Sequence, residues 1–185
     1  MNMQKAVQAV ISGRQEEATH AVRVAYHARI LAAELACNED DVEKVFLGGI
    51  LHDFGKSFIP EAVLLKPGKL TPEEYAIVRQ HSLLGFQALC DETDIAEETL
   101  DVVRFHHERF DGTGYPEGRR GEEIPGFARI VAITEAFDAM VTASHCRAAV
   151  RWETAMEEID RCKGTQFDPA YASAFLRVIG KFRPL

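Results

Sequence analysis

The chain has 185 residues, 46% of them apolar and 27% charged, which suits one globular domain with a sizeable core and not two. A formal net charge of −8 argues against a face for DNA or RNA backbones, but not against a small phosphate ligand, since bound cations reverse a local field. Charges interrupt every long apolar stretch, the first residues lack a secretory layout, and Cys37, Cys90, Cys146 and Cys162 have no CxxC spacing, so a cytoplasmic protein without a membrane span is expected.

Helical periodicity dominates, and no alternating strand pattern is found. Residues 1–15 read as an N-terminal lead-in, and 16–185 as the domain. The first helix is predicted from Glu16 to Cys37, with Val22, Ala25, Ile30 and Leu31 on one stripe. A second is predicted from Asp40 to His52, stopping near Gly55. Pro60 and Lys66-Pro67-Gly68 mark a loop. Thr71-Pro72-Glu73-Glu74 then has a capping Thr, a first-turn Pro and a Glu three residues after the cap, the signature of a helix start. That helix should carry Tyr75, Val78, His81 and Leu84 through to about Cys90, and another should run from Ile95 to His106. The acidic run from Asp91 to Asp101 reads as a solvated face.

Phe110 to Gly126 holds five glycines and two prolines in seventeen residues, so it reads as a long loop, and such loops in compact domains are usually functional. Helices resume over Phe127–Ala143, Val150–Cys162 and Pro169–Ile179, the last capped by Asp168. The expected fold is all-α, a single compact helical bundle.

Two clusters carry the chemistry. The first is Leu51-His52-Asp53-Phe54-Gly55-Lys56. The second is His106-His107-Glu108-Arg109-Phe110-Asp111-Gly112-Thr113-Gly114-Tyr115-Pro116. Dense imidazoles and carboxylates beside glycines are what a multinuclear hydrolytic metal site requires. A His-Asp pair alone is a weak signal, because neighbouring helical residues diverge by about 100° and converge on one ion only beside a central cavity. His27 and His145 have no such company and read as ordinary core or surface residues.

These clusters, with His20-Ala21-Val22-Arg23-Val24, Arg79-Gln80-His81-Ser82, Ala128-Arg129-Ile130-Val131-Ala132-Ile133 and Thr165-Gln166-Phe167-Asp168-Pro169, resemble the HD-GYP family of metal-dependent cyclic-dinucleotide phosphodiesterases. The resemblance runs from about Glu16 to Ile179. It implies a helical bundle around a central multinuclear metal site with a long GYP loop. It implies that His20, His52, Asp53 and the residue at 135 hold one ion, and that Asp53, His81, His106 and His107 hold its neighbour. Glu16, four residues before His20 and so on the same helix face, matches a third-ion ligand; Glu17 is the neighbouring alternative. Two or three divalent ions are implied, with Fe or Mn favoured and Zn compatible with the ligand types.

The implied reaction is metal-assisted hydrolysis of a phosphodiester, with cyclic di-GMP giving pGpG or GMP. Asp53 and Lys56 take the catalytic roles, Lys56 adding positive charge near the phosphate. Tyr115, Arg147, Lys56 and Asp111 are the substrate-binding candidates, Asp111 also shaping the loop. Two departures stand out. Glu135 occupies the final ligand position where the family has Asp, one methylene longer and so reaching about 1.5 Å further, with Asp138 following. Ser144 stands where an Arg is usual, while Arg147 remains. These departures leave open a catalytically weak signalling module that binds a nucleotide or a protein partner, and a hydrolase of another phosphate compound.

Overall fold

Asn38 and Thr71 each use a side chain to satisfy a helix N-terminus. In this computed structural model, which describes residues 3–143 and 148–182, the Asn38 carboxamide accepts from the Asp41 N–H at 2.9 Å. The Thr71 hydroxyl and the Glu74 carboxylate form the reciprocal box read from the sequence. The described residues form ten α-helices and no strand: α1 Met3–Ile11, α2 Gln15–Glu34, α3 Glu39–Leu51, α4 Glu61–Leu64, α5 Pro72–Arg79, α6 His81–Leu89, α7 Glu97–Phe105, α8 Gly126–Val141, α9 Trp152–Arg161 and α10 Pro169–Ile179. None is long and apolar enough to cross a membrane.

α2 is the axis of the bundle and packs against α1, α3, α8 and α10. Its buried face is built of small residues, Ala21, Ala25, Ala28 and Ala32, with Val24 and Leu31. α3 meets that face through glycine: a Cβ at Gly49 would lie 2.6 Å from the Ala25 Cα. On the neighbouring face of α3, a Cβ at Gly48 would meet the Val102 side chain of α7 at 2.8 Å. Three helices therefore approach more closely than ordinary side chains allow. One apolar cluster joins α2, α8, α9 and α10 through Leu31, Ile133, Phe137, Ile159 and Phe175. A second gathers Ile50, Leu51, Phe54, Leu89 and Val103 beneath α1.

The predicted elements differ from the observed ones in four places. The lead-in contains α1, whose Ala6 is fully buried and whose Met3, Val7 and Val10 pack on the second cluster. Val22, expected on the apolar stripe, is 46% exposed, because the small-residue face of α2 is the one turned inward. The loop marked by Pro60 and Lys66-Pro67-Gly68 contains a single turn of helix, α4. The helix expected from Thr71 to Cys90 breaks at Gln80. There the His81 ring bonds the Val78 carbonyl at 2.7 Å and the Ser82 hydroxyl bonds the Arg79 carbonyl, the two acceptors a continuous helix would have used. The break starts a new helix at His81 and re-aims its first residue.

Candidate metal centre

Helix ends deliver most of the centre. His52 closes α3 and Asp53 follows it, His81 opens α6, and His106 closes α7 ahead of His107; His20 and Glu135 project from within α2 and α8. Gly55 makes the first meeting possible. A Cβ there would fall 1.8 Å from the His81 carbonyl oxygen and 2.6 Å from the Gly85 nitrogen, so only glycine lets the turn after Asp53 lie against α6. Gly114 plays the same part for the loop. Its Cβ would meet the Arg109 nitrogen at 2.4 Å, and with the Tyr115 N–H bonded to the His107 carbonyl the loop folds back over the end of α7.

The side chains form two groups. Asp53, His81, His106 and His107 offer ligand atoms within 4.8 Å of one another, as do His20, His52 and Glu135. Asp53 joins them: its Oδ1 lies 3.4 Å from His81 Nε2, and its Oδ2 lies 3.3 Å from His52 Nε2 and 4.0 Å from His20 Nε2. Glu135 lies 3.8 Å from His107 Nε2, so its longer side chain still reaches the centre.

Hydrogen bonds behind the rings select one nitrogen of each. Nδ1 of His52 and His81 bonds the Gly49 and Val78 carbonyls at 2.7 Å, and Nδ1 of His106 bonds those of Val102 and Val103. A carbonyl only accepts, so Nδ1 carries the proton and Nε2 turns its lone pair inward. His20 Nδ1 is held by the Asp138 carboxylate at 2.7 Å, and Arg23 grips that carboxylate through two bonds.

The inward atoms are short of partners. Nε2 of His81 and of His106 face each other at 3.2 Å, while His52 Nε2 and Asp53 Oδ1 are buried without any hydrogen bond. Lone pairs converging in this way fit a divalent cation, and mixed imidazole and carboxylate donors suit Fe, Mn or Zn. Electrostatics agree. Burial, reinforced by His107 and Lys56, holds His81 down at about 4, and burial keeps His106 and His107 below the usual histidine range, so these rings are neutral donors. Burial alone would raise the Asp53 pKa, but Lys56, His52 and His81 together hold its carboxyl well below the usual range.

The centre opens on two clefts. One, of about 300 Å³, includes Arg14, Glu16, His20 and Lys56 in its walls. Glu16 is exposed there and stands outside both ligand groups; the neighbouring Glu17 pairs with Arg14. The Lys56 ammonium lies 2.5 Å from Asp53 Oδ2, and the negative charge of Asp53 outweighs burial to keep it protonated. The other cleft, of about 360 Å³, is walled by His107, Glu135 and Tyr115, the Tyr115 ring stacking on His107 at 4.7 Å. Asp111 lines neither cleft: its carboxylate accepts from the Thr113 N–H and hydroxyl and from Arg109, bracing the loop. Arg147 and Ser144 lie outside the described residues.

Two supporting residues received no role from the sequence. Asp138 orients His20, and its spacing from Glu135 was the available signal. Glu108, buried beside the paired histidines, accepts from the Glu117 and Gly118 N–H groups at 2.7 and 3.0 Å and holds the loop shut. The Thr165-Gln166 segment pairs its carbonyls with the Asp111 and Phe110 N–H groups, which ties the loop to the start of α10.

Comparison with known proteins agrees with this architecture. A family model described as HD domain matches residues 5–171. The chain is 38% identical over 160 residues to a cyclic di-GMP phosphodiesterase of Thermotoga maritima, covering 86% of this chain and 44% of that protein. It is 39% identical over 157 residues to the cyclic di-GMP phosphodiesterase response regulator RpfG of Xanthomonas campestris, covering 84% and 41%. The chain thus spans about two fifths of the length of these relatives. In fold it is similar to Bd1817, an HDG"Y"P protein of Bdellovibrio bacteriovorus, with a TM-score of 0.71 at 20% identity, covering 96% of this chain and 61% of that one. The chain belongs to the HD-domain family, and its motifs place it with that family's HD-GYP members.

Proposed function

We propose that the protein is a metal-dependent phosphodiesterase of cyclic dinucleotides, acting on cyclic di-GMP to give pGpG or GMP. The observation that carries this reading is the pair of ligand groups joined through Asp53, with buried lone pairs aimed at a common centre. That the Thermotoga and Xanthomonas relatives are named cyclic di-GMP phosphodiesterases supports the choice of substrate.

In this reading His20, His52, Asp53 and Glu135 hold one divalent ion and Asp53, His81, His106 and His107 a second, with Glu16 available to a third. Fe or Mn is favoured, and Zn is compatible. When bound, the ions supply Lewis-acid polarisation of the phosphodiester and activation of water. Lys56 places a fixed positive charge beside Asp53, where a phosphoryl oxygen would approach. Tyr115, whose phenol burial keeps protonated, donates at the mouth of the second cleft. The proximity of the Glu135 carboxylate to the centre supports an active enzyme over a module that only binds nucleotide or a signalling partner.

Turnover of cyclic di-GMP by protein loaded anaerobically with Mn or Fe tests the reading, with Asp53→Ala as control. Product from the wild type and none from the variant is expected. Bound metal without product would turn the assignment to another phosphate substrate, and absence of both would favour the binding module.

A further inference from the structure

We infer that Tyr75, Arg79 and Tyr115 form a guanine-recognition subsite at the mouth of the second cleft, and that Arg79 makes it selective for guanine over adenine. This rests on the phosphodiesterase reading for the identity of the ligand, but the subsite stands on its own geometry. Tyr75 and Arg79 are four residues apart on α5 and therefore share a face. Both line the cleft that contains His107 and Glu135, so the face is turned to the metal centre. Packing does not account for Tyr75, which leaves half its surface exposed. Nor does ion pairing account for Arg79, which has no carboxylate partner among the described residues; its guanidinium lies 4.4 Å over the Tyr115 ring.

That placement has a chemical consequence. A guanidinium held over an aromatic ring by its charge, with no carboxylate to bind, keeps the planar fork of N–H donors free for a ligand. Two in-plane donors match the adjacent O6 and N7 acceptors of guanine. Adenine offers N7 and the N6 amino donor, and the second of these opposes an arginine donor. A base paired in this way lies level with the guanidinium, where the exposed ring of Tyr75 can stack on it without regard to its identity, while Tyr115, packed between His107 and Arg79, holds the guanidinium in place. The cleft volume of about 360 Å³ is at the small end for ligand sites and suits one nucleotide half of a dinucleotide, whose phosphate would then point toward His107 and Glu135.

Equilibrium binding of GMP and AMP to the metal-loaded protein separates the base from the phosphate, because both ligands carry the same phosphate and neither is a phosphodiester. The wild type is expected to prefer GMP. Arg79→Ala and Arg79→Met, the latter keeping bulk over Tyr115, should each lower GMP affinity by about 10-fold and bring the two affinities together. Tyr75→Ala should weaken both nucleotides alike. A wild type without preference, or a preference that survives both Arg79 variants, overturns the subsite. Turnover of cyclic di-GMP measured in parallel keeps the two claims apart. Guanine preference lost in the variants without wild-type turnover upholds the subsite and sinks the phosphodiesterase, while turnover with a preference indifferent to Arg79 does the reverse.

Discussion

Asp53 is the residue on which the centre depends, since its two oxygens reach histidines of both groups. Asp53→Ala should remove both bridged ions, read by elemental analysis, and abolish turnover; retained metal with normal turnover would overturn the assignment. His27 illustrates a different kind of residue. Its ring packs edge-on against Phe137 at 5.7 Å, and its Nδ1 is buried without a partner. Burial lowers its pKa, so the folded protein keeps the ring neutral where the unfolded chain takes up a proton. The unfolded state gains that proton as pH falls through about 6.5, and stability falls with it. The Tm of metal-free His27→Leu should therefore decline less steeply than that of the wild type between pH 7.5 and 5. Parallel slopes would mean that the His27 ring is protonated without cost in the fold.

Among the elements, glycine at close approaches does more for the site than helix propensity does. Gly55→Ala places a methyl carbon on the His81 carbonyl, a backbone atom that cannot swing aside. The expected cost exceeds the roughly 1–3 kcal/mol of ordinary overpacking, and metal content should fall with it because His81 must move. A denaturant titration together with elemental analysis checks both parts. The capping box of α5 affects stability and not the metal. Thr71→Ala should cost about 1 kcal/mol and leave bound metal unchanged, since α5 presents no member of either ligand group. Loss of metal in that variant would show that the α5 start and the break at Gln80 are coupled.

At the scale of the whole molecule, the centre is a clasp. Its side chains come from α2, α6, α8 and the segments that follow α3 and α7, so distant parts of the chain meet there. An ion bound only by the folded chain stabilises it by mass action, about 2.7 kcal/mol at a free concentration 100 times Kd. Chelation should therefore lower the Tm, and added Mn should restore it in a concentration-dependent way. A Tm indifferent to chelator would mean that the buried lone pairs are tolerated without a cation.

Helix content, the Thr71 box, the Asp168 cap and the Pro169–Ile179 span were legible in the sequence, because capping and periodicity are local and need no partner. The residues to inspect were legible as well, since motifs such as His52-Asp53 and His106-His107 are contiguous. The face of α2 turned inward was not, because Val22 loses to a row of alanines only when Gly49 of α3 lies against them. Nor was the break before His81, where side chains claim two carbonyls from the helix ladder. The Asp138 grip on His20 and the Arg79 stack on Tyr115 span 118 and 36 positions of the chain, and only packing brings such groups together. The sequence by itself determined which residue types are present and which segments are helical. The tertiary structure decided which lone pairs converge, because convergence depends on how closely helices approach, and that is set by the contacts at Gly48, Gly49 and Gly55.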